Sequence, residues 1–118
     1  MVQVTALPPH VEQCIENCQD CHRICEETIA HCLEVGGQYV QSHQIRLLMD
    51  CAQICQTANE FLTRMSRFSP QVCSVCAQVC TICASECERF DDDLMRCCAE
   101  VCRRCAESCT EMASQRSF

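Results

Sequence analysis

The chain has 118 residues, 17 of them cysteine, and carries a formal net charge of −7. That charge disfavours a nucleic-acid partner, which needs a basic face, and no stretch approaches the ~20 apolar residues of a membrane-spanning helix. Two glycines and three prolines are too few for the loops of a small disulfide-knotted scaffold.

The length suits a single domain over residues 1–118. Residues 1–8 are open between a short arm and an extra turn. Met1–His10 has neither the basic start nor the apolar run of a secretory leader. A reducing cytoplasm is therefore the expected compartment, where thiols stay free.

A first helix is predicted over residues 9–35, from Pro9, which suits a first turn, to the Gly36–Gly37 stop. It carries Cys14, Cys18, Cys21, Cys25 and Cys32. The first four recur at steps of three and four and Cys32 follows seven residues on, the spacing at which a helix presents one face to a core. Thr28 and Val35 extend the same stripe. A second helix is predicted over 42–66, with Ser42 as its cap. Its stripe runs Leu48, Cys51, Cys55, Ala58, Leu62 and Met65.

The third helix is predicted over 70–90, with Ser69 as cap and Pro70 in the first turn. It carries Cys73, Cys76, Cys80, Cys83 and Cys87, and its stripe ends at Phe90. The Asp91–Asp92–Asp93 run closes that region. It also places negative charge at the start of a fourth helix over 93–114, where the helix dipole favours it. That helix carries Cys98, Cys102, Cys105 and Cys109 between Met95 and Met112. Cys97 alone stands off the lattice.

Short links between long helices make antiparallel neighbours. The predicted fold is all-α: an antiparallel up-down-up-down four-helix bundle with a cysteine-lined core. A second apolar stripe runs through Leu47, Ile54, Phe61 and Phe68, and through Val72, Val75, Val79 and Ile82. It reads either as the flank joining neighbouring helices or as a subunit interface.

Sulfur on the packing positions points to soft metal. Residues three or four apart on a helix have β-carbons about 5–6 Å apart. Two thiolates sharing one ion at roughly 2.3 Å sit about 4–4.6 Å apart. Side-chain rotation closes that difference without backbone distortion. Thiolate-rich sites select copper(I), zinc and iron–sulfur clusters. Structural zinc uses isolated sets of four ligands, whereas an unbroken column suits an ion that takes two or three ligands and lets sulfur bridge. Copper(I) does so, with a capacity on the order of the cysteine count.

All seventeen cysteines are candidate ligands. His31 and His43 are added, lying where the first helix stops and the second starts, together with Met95 beside the aspartates. Copper is expected to pass through that end. Leu62, Met65, Phe68 and Met112 form an apolar plug at the other. His10 and His22 read as surface residues. Two alternatives remain open on the residues alone: an iron–sulfur electron carrier and a zinc thiolate buffer. Against the first, no cysteine precedes proline, as the usual ferredoxin run requires. An enzyme is not expected, because Cys21–His22 and His31–Cys32 are sequence neighbours that point apart on a helix.

The runs CxxxCxxCxxxC from Cys14, CxxCxxxCxxCxxxC from Cys73 and CxxxCxxCxxxC from Cys98 resemble the bacterial copper storage proteins. The resemblance spans about residues 10–112 and lies with the cytosolic branch. It implies storage of multiple Cu(I) ions along a bundle axis, with polar residues and histidines guarding one open end, and often a homotetramer. Copper ions are the partner expected first, then a copper chaperone or efflux partner; no membrane is implied.

Overall fold

The computed structural model describes residues 7–115, so the reading of residues 1–6 as arm or extra turn lies outside the described residues. Four helices follow one another: α1 Pro9–Val35, α2 Ser42–Thr63, α3 Ser69–Cys87 and α4 Asp93–Ala113, with a 3-10 turn at Gly37–Val40 between the first two. Each helix packs on its two neighbours in a closed ring, and the diagonal pairs meet through thiols across the axis, Cys21 with Cys80 and Cys51 with Cys102. Cys14 meets Cys109 while Cys25 meets Cys98, so α1 and α4 run antiparallel. Gln44 meets Cys87 while Cys55 meets Cys76, which makes α2 and α3 antiparallel too.

Local chemistry explains most boundaries. Pro8 caps α1, and its carbonyl accepts the amides of Val11 and Glu12, both at 3.0 Å. The helix stops where Gly36 takes φ +76°, a conformation glycine adopts without steric cost. Asp92 caps α4 by accepting the Met95 amide at 2.9 Å.

Several boundaries differ from the predicted ones. α2 stops at Thr63 rather than Ser66, because Met65 turns left-handed (φ 54°) and the Ser66 amide folds back onto the Phe61 carbonyl. Ser69 is not a cap: it is the first residue of α3, fully buried, with an unpartnered hydroxyl. Ser66 accepts from the Phe68 amide instead. Ser42 likewise opens α2, and Gln41 is the flanking residue. α3 ends at Cys87, three residues before Phe90, and α4 ends at Ala113.

The core follows the lattice closely. Thr28, Leu48, Ala58, Leu62, Met95 and Met112 are buried with sixteen cysteines. Val35 is not, since it lies at the open last turn of α1, and Met65 and Phe68 are exposed by the turn that ends α2. The plug at that end is Leu62, Met112 and Val11. Of the second stripe, Leu47, Ile54, Val72 and Val79 pack partly against the core, whereas Val75 and Ile82 face outward.

Candidate metal centre

The sixteen lattice cysteines are wholly shielded from solvent, and Cys97 is exposed. All seventeen are free thiols. Their sulfurs stand far beyond the ~2.05 Å of a disulfide yet within reach of a shared ion. Cys21 lies 3.6 Å from Cys102, Cys55 lies 3.6 Å from Cys80, and Cys18 lies 3.7 Å from Cys109. Every such pair is shorter than the ~4.6 Å that two thiolates on one ion span.

The sulfurs gather into overlapping sets, each with all its members within 4.8 Å of one another. Cys14, Cys73 and Cys109 make a trio at the plugged end. Four quartets follow along the axis: Cys18–Cys76–Cys105–Cys109, Cys21–Cys55–Cys80–Cys105, Cys21–Cys25–Cys51–Cys102 and Cys25–Cys83–Cys98–Cys102. Consecutive sets share a corner at Cys109, Cys105 or Cys21, and the last two share the edge Cys25–Cys102. Isolated tetrahedral sites would share nothing. Shared corners are what bridging thiolates require.

Protons are unevenly held along this column. Hydrogen bonding to Cys109, then to Cys18, draws the Cys105 thiol down, and the Cys109 thiol is pushed up in return by Cys105 and Cys14. A thiolate is tolerable in this dry interior only where neighbouring S–H groups donate to it. A metal cation replaces those protons and neutralises the whole cluster, so loading releases acid.

The column thins at the end where α1 and α3 stop. Thr28 takes the place of a sulfur between Cys25 and Cys32, with its hydroxyl donating to the Ile24 carbonyl at 2.6 Å. Beyond it, Cys32 donates to the Met95 thioether at 3.8 Å. Burial, then the charges of Asp92 and Cys98, pushes the Cys32 thiol up to about 11. Neither Cys32 nor Cys87 belongs to a clustered set. Gln44, buried on the first turn of α2, reaches Cys87 Sγ with its amide nitrogen at 3.9 Å.

Above these side chains sits a polar cap. His31 Nε2 lies 2.8 Å from Asp92 Oδ2, and the Tyr39 hydroxyl donates to the same oxygen at 3.4 Å. The Tyr39 ring packs between His31, edge-on, and Phe90 at 4.7 Å. The Met95 amide first, then His31, holds the Asp92 carboxyl below the usual carboxylate range. His43 stands on the rim, more than half exposed and 3.9 Å from Glu86. His22 is tied by Nδ1 to the Ala52 carbonyl at 2.7 Å on the bundle's flank.

The cysteines and Met95 that the sequence placed on the inner stripe are buried together, and His31 and Asp92 meet at one end. Sequence reading passed over Gln44 and Tyr39. Gln44 stands seven residues before Cys51 on the same stripe, a signal hidden only by its polarity. Tyr39 lies in a turn that carries no periodic signal.

Comparison with known proteins places this geometry. The family model described as Csp, copper storage protein, matches residues 8–114. The Nmul_A1745 protein of Nitrosospira multiformis is 46% identical, with a TM-score of 0.86, over 89% of this chain and 95% of that one. Cu(I)-bound copper storage protein BsCsp3 is 39% identical, with a TM-score of 0.84, over 89% and 99%. A cytosolic copper storage protein of Streptomyces lividans, solved with five coppers, is 32% identical, with a TM-score of 0.81, over 90% and 93%.

Proposed function

We infer the function from one premise: the chain belongs to the copper storage protein family. It stores copper(I), held by thiolates along the bundle axis, and so keeps the free ion from reacting elsewhere. The observation that carries this reading is the run of corner-sharing thiol sets through the buried core. Copper(I) is the soft ion that accepts two or three ligands and lets each sulfur serve two neighbours. Iron–sulfur and zinc alternatives are not favoured, since similar bundles are solved with Cu(I) bound.

The proposed ligands are the sixteen buried cysteines with Met95. Cys97 is not well placed for a shared ion, being exposed and outside every set. His31 and His43 serve at the rim rather than in the column, His31 through Asp92. The role is read as storage rather than catalysis, since the matching family is one of storage proteins. A cytosolic setting is supported by the likeness to the Streptomyces protein. No helix of the described residues is long and apolar enough to cross a membrane.

A homo-oligomer, a tetramer on the family resemblance, is supported by the outward Val75 and Ile82 beside Ile54 and Leu47. A copper chaperone or efflux protein would meet the polar end. Anaerobic Cu(I) titration with elemental analysis tests the storage reading. We expect a colourless protein holding copper on the order of the cysteine count. One or two ions per chain, or a brown chromophore, would overturn it.

A further inference from the structure

The layer that closes the plugged end is not wholly apolar. Each helix sends one side chain into it: Val11 from α1, Leu62 from α2, Ser69 from α3 and Met112 from α4, none more than 1% exposed. Ser69 stands four residues before Cys73, where the α3 stripe would carry its next sulfur. Its amide donates to the Ser66 carbonyl at 3.0 Å, but its hydroxyl has no hydrogen-bond partner among the described residues. A buried hydroxyl left unpaired is destabilising, and alanine would fill the position without that penalty. The folded metal-free chain therefore gains nothing from this oxygen.

Beneath Ser69 lies the trio Cys14–Cys73–Cys109, a set of three where the others have four. On α2 the stripe offers Ala58, not a thiol, one step beyond Cys55. Side chains on a helix lean toward its N-terminus, so Cys73 leans toward Ser69, whose β-carbon stands about 5–6 Å from its own. Rotation about the first torsion of each side chain brings oxygen and sulfur into hydrogen-bond range. We propose that Ser69 is a positioning residue for the copper at the plugged end: when the trio binds copper(I) and its thiol protons leave to solvent, the Ser69 hydroxyl turns and donates to the Cys73 thiolate. A thiolate accepts a hydrogen bond more strongly than a thiol does. The hydroxyl is already stripped of water, so the bond forms without further desolvation and favours the loaded chain alone. The trio lies farthest from the polar end, the mouth of the column, and its ion is the last to leave.

This inference rests on the storage reading, and the test keeps the two apart. The full chain is loaded anaerobically with Cu(I) and stripped with rising bathocuproine disulfonate, and the ions retained are counted by elemental analysis. Denaturant melts are run on the reduced metal-free chain. Ser69→Ala is expected to hold the wild-type number of ions within about one, but to yield its last ion at roughly tenfold lower chelator. Its metal-free midpoint should equal the wild type's or exceed it. In a Cys73→Ala background, Ser69→Ala should change retention no further. Wild-type retention in Ser69→Ala, or a further loss in the Cys73→Ala background, would overturn the proposal. So would a lower metal-free midpoint, or a chain unfolded by circular dichroism, because the hydroxyl would then serve the fold. Failure of the storage reading is seen earlier, in a wild-type chain that holds only one or two ions, and it removes this role for Ser69 as well.

Discussion

Cys32 Sγ stands 3.8 Å from Met95 Sδ and belongs to none of the thiol clusters, although both side chains are fully buried. The cause lies one turn away in Thr28, which occupies a sulfur position with an oxygen already committed to the Ile24 carbonyl. On α1 the residue separates Cys32 from the thiol column that ends at Cys25. Thr28→Cys is close in volume and removes a back-bonded hydroxyl, so the fold should tolerate it. We expect the variant to hold about one additional copper, with slower release to a competing chelator. Titration against the wild-type chain, read by elemental analysis, checks both.

Cysteines differ in how many sets they join. Cys105 is a corner of two quartets, whereas Cys97 is exposed and joins none. Cys105→Ala should lower capacity by about two ions, since two sets lose a bridging ligand. Its effect on apo stability should be only about 1 kcal/mol, because little buried volume is removed. Cys97→Ala should leave capacity unchanged. Parallel Cu(I) titrations and denaturant melts of the two variants test the contrast; equal losses would refute the assignment.

The helices and the buried column were legible because cysteine replaced aliphatic residues on a three-and-four spacing, which survives any exchange of side-chain chemistry. Thr28 and Ala58 could be placed on that stripe for the same reason. What escaped notice depends on backbone turns. Met65 and Phe68 continue the stripe on paper, but the left-handed turn at Met65 swings them into solvent. Ser69 followed by proline resembles a cap, yet tertiary packing buried its hydroxyl one position inside the helix. Tyr39 and its 3-10 turn have no periodicity to read. Their place over the mouth is set by Phe90, His31 and Asp92, which are distant in sequence.

That turn is the ceiling over Cys32 and Met95. Its hold consists of one long hydrogen bond, Tyr39 to Asp92, and the ring contacts with His31 and Phe90. Aromatic pairs of this kind contribute about 0.5–1.5 kcal/mol. Tyr39→Ala should therefore speed copper uptake by about two- to tenfold, without changing the number of ions held. Stopped-flow transfer from a chromogenic Cu(I) complex measures the rate, and an endpoint titration measures the number. Uptake at the wild-type rate would show that the turn is no barrier.

Stability of the metal-free chain should depend on pH through the mouth thiol. Burial, with Asp92 and Cys98 nearby, pushes Cys32 from its ordinary value of 9.0 to about 11 in the folded chain. Between those values the unfolded chain sheds a proton that the folded chain keeps. Folding is then disfavoured as pH rises. The contribution from Cys32 is fully present below pH 9.0 and is lost as pH climbs toward about 11. Denaturant midpoints of reduced apo protein should accordingly fall between these limits, and Cys32→Ala should flatten that part of the profile. Copper-loaded protein should show no such fall from this group, because its thiol proton has already left. A midpoint that rises over the same range would contradict the burial of Cys32 as a neutral thiol.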